Sequence, residues 1–106
     1  MPWYIAIAYF LGGAFIANAF PHLLTGIAGR PFPTPFASPP FTGLSSPAVN
    51  IAWALGNLAI AYLLLLRLRP IDFREWSQLA FAVAGFLLMA FLLGRSLRRL
   101  RAAAPR

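Results

Sequence analysis

Residues 47–69 read PAVNIAWALGNLAIAYLLLLRLR. The twenty positions from Pro47 to Leu66 carry no charged side chain. That is the length of α-helix that crosses about 30 Å of hydrocarbon. Ser45 and Ser46 stand before the run as capping residues, and Pro47 suits the first helical turn, where its missing N–H costs nothing. Arg67 and Arg69 end the run and Pro70 stops it. The segment therefore reads as a membrane-spanning helix.

Two further stretches meet the same length. Trp3 to Ile27 contains His22 as its only ionisable group apart from tyrosine, and Trp3 and Tyr4 at its start suit the headgroup level. Trp76 to Gly94 is apolar and exits at Arg95. The fold class is thus all-α: one integral membrane domain of three transmembrane helices. Its parts are helix 1 at about 3–27, a Pro/Phe-rich loop at 28–46, helix 2 at about 47–69, a loop at 70–75, helix 3 at about 76–94 and a basic tail at 95–106. Composition agrees, with 60% hydrophobic and 10% charged residues in 106, against about 45–50% and 25% in soluble domains. Ala17-Asn18-Ala19 resembles a signal-peptidase site, but no positive region precedes it and the apolar run continues beyond, so the segment is expected to stay as a helix. The chain has no cysteine, which excludes disulfides, thiolate metal sites and cysteine nucleophiles.

All nine basic residues are arginines, and they bracket the apolar runs. Three crossings put Arg30 and the tail arginines on one side, and Arg67, Arg69 and Arg74 on the other. The richer side is expected to be cytoplasmic. The tail, Arg95-Ser96-Leu97-Arg98-Arg99-Leu100-Arg101, continues helix 3 with Leu93, Leu97 and Leu100 on one side and arginine on the other. Arg95, Arg98, Arg99 and Arg101 are read as contacts to lipid headgroups, each worth about 1 kcal/mol near an anionic leaflet. A nucleic-acid surface would want interleaved stacking aromatics, so no nucleic-acid partner is expected.

Within the loop, five prolines fall between positions 31 and 40. Such a segment cannot be helical, and Arg30 to Phe41 is expected to be extended. Phe32, Phe36 and Phe41 set it apart from a polar linker. Either these rings sit in the membrane interface, or the loop folds back over the helix ends or clamps a partner.

Asn18, His22 and Thr25 share one face of helix 1, and Asn50, Trp53 and Asn57 share one face of helix 2. Polar groups at membrane depth are costly against lipid, so the two faces are expected to meet. Pro21 removes the bond to the Ala17 carbonyl and is expected to kink or end helix 1, with Gly26 and Gly29 continuing the break. No cofactor is read from this pattern. The one cofactor chemistry to weigh is a haem or chlorin at His22, the only histidine, and Asn18 stands where light-harvesting helices carry a small residue. Ala8-Gly12, Gly13-Ala17 and Ala48-Ala52-Gly56 are small-residue patterns, which make Gly12 and Gly56 candidate partner-packing positions beside the loop phenylalanines. Asp72 and Glu75, the only carboxylates, flank Arg74, and no paired acids, metal-ligand cluster or phosphate loop is present, so no enzyme chemistry is expected.

Asn18-x-x-Pro21-His22-Leu23, Pro31-Phe32-Pro33-Thr34-Pro35-Phe36, Ser45-Ser46-Pro47 and Asn50-x-x-Trp53-x-x-x-Asn57 together resemble a family of small, uncharacterised bacterial multi-pass membrane proteins. Ala54 departs from the glycine that relatives often carry after the Trp. The resemblance implies a bacterial membrane location and no activity. The expected role is a non-catalytic accessory or scaffold subunit of a larger inner-membrane assembly, such as an energy-converting one. The alternative is a small homo-oligomeric transporter or channel lined by Asn18, His22, Asn50 and Asn57.

Overall fold

The computed structural model describes residues 1–103 and contains three long helices and no strand among them. Helix α1 runs Trp3–Ile27, α2 runs Pro47–Tyr62 and continues into a π-helical turn at Leu63–Arg67, and α3 runs Trp76–Ala103. All three are long and apolar enough to cross a membrane. Ser46 is the cap of α2: its Oγ accepts from the Val49 N–H at 3.2 Å, with Pro47 in the first turn.

Two expectations change in the structure. Helix α1 neither ends at Pro21 nor unwinds after it; the helix continues to Ile27. The residues beyond the proline are clamped onto α2, where Gly26 lies so close to Pro47 and Ile51 that a Cβ would collide with both, and this packing outweighs the one backbone bond that proline removes. Helix α2 closes at Arg67 and not at 69, because the wide turn diverts the chain: the Leu68 N–H bonds Leu63 O at 3.0 Å and the Ile71 N–H reaches Leu65 O at 2.8 Å. Helix α3 extends through the tail to Ala103, and Arg106 lies outside the described residues.

The three helices stand in a row. Helix α1 packs against both α2 and α3, while α2 and α3 do not pack against each other. Burial follows this order: 44% of the apolar window of α1 is buried, 28% of that of α2 and its π-turn, and 6% of that of α3. Glycine makes the α1–α3 seam. A Cβ on Gly13 would strike the Ala82 carbonyl, and one on Gly85 would strike that of Phe10, so the two backbones touch directly. Gly12, a candidate for partner packing, is instead taken up inside the chain beneath Leu65, whereas Gly56 has open space beside it.

At the end of the bundle holding the 68–75 connection, Ile5, Tyr9, Leu65 and Ile71 form a small core, with Ile16 and Ala82 against it. Tyr9 is fully buried, and its hydroxyl donates to the Arg69 carbonyl at 2.9 Å. That bond satisfies a carbonyl left free where α2 ends. The opposite end is organised by the proline loop.

Candidate functional site

The loop folds back over the ends of α1 and α2. It is extended only as far as Thr34. There Pro35 opens a turn, closed by the Ala37 N–H on Thr34 O at 3.2 Å, and a second turn brings the Gly43 N–H to Pro39 O at 2.8 Å. Proline's fixed φ suits the second position of such a turn, so the residue type expected to extend the segment also lets it reverse. Phe32 and Ser45 then pair antiparallel, each N–H bonding the other's carbonyl at 3.1 and 2.9 Å. The buried Thr34 and Ser45 hydroxyls bond each other, and Thr34 Oγ1 also accepts from the Phe36 N–H at 3.1 Å.

Asn50 joins this loop to both helices. It is fully buried at the start of α2. Its Nδ2 donates towards the carbonyls of Phe32, Ser45 and Ser46 at 3.1, 3.2 and 3.1 Å. Its Oδ1 lies 2.8 Å from His22 Nδ1 on α1. Since the three carbonyls can only accept, Asn50 must face them with its amide hydrogens, which leaves Oδ1 as an acceptor. Nδ1 of His22 must therefore carry a proton, and in the neutral imidazole Nε2 has the lone pair.

The same reasoning fixes the second pair. Asn57 is fully buried and its Nδ2 donates to Trp53 O at 2.8 Å. Its Oδ1 accepts from Asn18 Nδ2 at 2.9 Å, which leaves Asn18 Oδ1 as a further acceptor. Thr25 does not join either pair: its hydroxyl donates to Pro21 O at 2.6 Å within α1. Two of the three residues on each polar face thus meet across the α1–α2 contact, and Trp53 supplies a wall, its ring edge-on to His22 at 6.5 Å and to Phe36 at 5.1 Å. Phe32 stands edge-on to His22 at 5.4 Å.

Because α2 and α3 do not pack against each other, a partly open cavity of about 360 Å³ lies among the loop, α1 and the facing residues of α2 and α3. Its polar groups are Asn18 and His22 of α1, Thr34 of the loop and Ser96 of α3; the loop also contributes Phe32 and Phe41, α2 contributes Trp53, and α3 faces them with Met89, Leu93, Leu97 and Leu100. Phe36 and Phe41 keep two-thirds of their surface exposed. Arg95, Arg98, Arg99 and Arg101 lie on the exposed side of the same α3 segment. Among the described residues the one ion pair joins Arg74 to Asp72 at 3.3 Å, far along the chain from these arginines. No group of three metal-ligating His, Asp or Glu side chains occurs among the described residues.

Thr34, Ser45 and Tyr9 are the participants that sequence reading passed over. Thr34 is the one hydroxyl set among prolines in a run of aromatic residues, and Ser45 precedes the serine that caps the helix. Their partners lie eleven and more positions away, beyond any helical or strand periodicity. Comparison of the chain with protein-family models, curated proteins and solved structures gives no match.

Proposed function

We propose that the protein is a non-catalytic accessory or scaffold subunit of a larger bacterial inner-membrane assembly, with its C-terminal arginine-rich segment in the cytoplasm. The observation that carries this reading is the helix row. Only 6% of the apolar window of α3 is buried within the chain, and Phe81, Val83, Leu87, Leu88, Phe91 and Leu92 are exposed. With α2 and α3 packed on α1 alone, the chain leaves most of its outer apolar surface uncovered. It offers α3, the outer side of α2 around Gly56, and the exposed rings of Phe36 and Phe41 to a neighbouring membrane protein. Arg30 with the tail arginines, against Arg67, Arg69 and Arg74, supports the orientation, and the tail arginines fit anionic headgroups.

The transporter alternative is weakened by the same geometry. Asn50 and Asn57 are fully buried and bond α1, their own helix and the loop, and they take up His22 Nδ1 and Asn18 Nδ2 in the same pairs, which argues against a continuous polar stripe along an oligomer axis. Native mass spectrometry of mild-detergent extracts tests the subunit reading. A heteromeric assembly is expected, and a chain that always runs alone or only with copies of itself overturns it.

A further inference from the structure

We infer that the cavity under the proline loop is a binding site for a small, uncharged, hydroxylated ring of the phenol or hydroquinone class, which donates a hydrogen bond to His22 Nε2. His22 is 5% exposed. It lines the cavity, and its Nδ1 is committed to Asn50. Nε2 has no partner among the described side chains and backbone, yet it is not sealed away, since no fully buried side-chain nitrogen or oxygen lacks a hydrogen bond. A buried imidazole with one nitrogen fixed and the other open to a cavity is a preorganised acceptor. Its tautomer is set by carbonyls that cannot change their role, so the neutral ring offers a lone pair at Nε2.

The remaining walls specify the rest of the ligand. Asn18, one turn before His22, adds a second acceptor in Oδ1. Leu, Met, Phe, Pro and Trp make up most of the other walls, and none carries a charge. A cation would have no carboxylate to meet, and an anion no arginine inside the cavity. The lining therefore selects a neutral body with a hydrogen-bond donor. Phe32 and Trp53 present themselves edge-on around the imidazole, a geometry that accommodates another ring. About 360 Å³ is at the lower end of the ~300–1,000 Å³ of small-molecule pockets, which fits one substituted ring. An oxidised quinone carries only carbonyl acceptors and would face Nε2 lone pair to lone pair, with the Ser96 hydroxyl as its donor on the α3 side; the reduced form can use Nε2 and Ser96 alike and is the one favoured.

The test uses the full-length protein in nanodiscs, labelled with nitrogen-15 at histidine; as the chain has one histidine, the imidazole signals need no assignment. Duroquinol, kept reduced under anaerobic conditions, is titrated beside its dimethyl ether and beside duroquinone. Saturable binding of duroquinol is expected, with a shift of the Nε2 resonance, and binding about fivefold or more weaker for the ether and for the quinone. Leu97→Trp, which fills the cavity from α3 without touching the Asn50 hub, is expected to abolish saturation. Equal affinity of duroquinol and its ether overturns the proposal, as does partitioning that never saturates or a Nε2 resonance that stays put. Because the matched ligands act on the unaltered chain, failure of a variant to fold does not affect the outcome.

Discussion

Asn50 Oδ1 accepts the Nδ1 proton of His22 at 2.8 Å, and the same amide's nitrogen holds three loop carbonyls. One side chain thus fixes the tautomer of the only histidine, the closure of the proline loop and the contact of α1 with α2.

Replacing Asn50 by Leu removes all of these bonds together. The change leaves the buried His22 Nδ1–H without a partner, at about 1–3 kcal/mol, and takes from the carbonyls of Phe32, Ser45 and Ser46 the side-chain bond that each accepts beside a backbone one. The expected result is a loss of about 2–4 kcal/mol in thermal or denaturant stability in detergent, with the 31–45 loop becoming open to limited proteolysis. Unchanged loop protection in the Asn50→Leu protein would contradict the hub.

The Asn18–Asn57 pair is expected to contribute much less. Interhelical side-chain bonds in membranes average about 0.6 kcal/mol, with a maximum near 1.7. A double-mutant cycle with Asn18→Ala and Asn57→Ala should return a coupling in that range, while Asn57→Ala alone costs more, because its amide also satisfies Trp53 O.

Gly13→Ala and Gly85→Ala are expected to force α3 off α1, since each added methyl meets a backbone carbonyl that no rotamer change can move. Overpacking of this kind costs about 1–3 kcal/mol. Cysteine cross-linking between positions 20 and 86, whose rings meet across the α1–α3 seam at 5.8 Å, should fall in both variants. Gly56→Ala, with open space around it, serves as the control and should leave the cross-link intact.

Asp72 gives a pH prediction in the 68–75 connection. The backbone N–H of Arg74 donates to its carboxylate, and the Arg74 side chain adds to this, so the carboxyl is held below the usual carboxylate range. With the folded value depressed, the contribution to stability is present at neutral pH and is lost as the pH falls through that depressed value. Asp72→Asn should remove this acid-side dependence, with the variant's neutral-pH stability lowered toward the level the parent reaches in acid. A carboxyl carbon-13 titration of Asp72 with an ordinary midpoint would count against the arrangement.

How the sequence and the structure divide the work is clear at particular residues. Helix α1 was legible as Trp3–Ile27 and the start of α2 at Pro47, because length, lack of charge and capping are local properties. The two polar faces were also legible, as helical periodicity places Asn18 with His22 and Asn50 with Asn57. Their pairing partners were not. Nothing in the period says that Thr25 turns back on its own helix, or that Asn50 reaches across to Phe32. At Pro21 the local rule allowed a kink or an end, and the helix does not end: a lost backbone bond is a local cost, while the packing of Gly26 against Pro47 and Ile51 that outweighs it is tertiary.

The sequence by itself determined the solvent of this protein and its helices. Apolar length and the placement of nine arginines are one-dimensional facts, and bilayer insertion depends on little else. Only the tertiary structure decided that the helices stand in a row with α1 between α2 and α3, that Gly12 is spent inside the chain, and that a closed loop roofs a cavity beside His22. The physical reason is that lipid is as apolar as the helices. Hydropathy therefore cannot choose which helices touch, and backbone approach at glycine together with the matching of scarce hydrogen-bond donors and acceptors makes that choice in three dimensions.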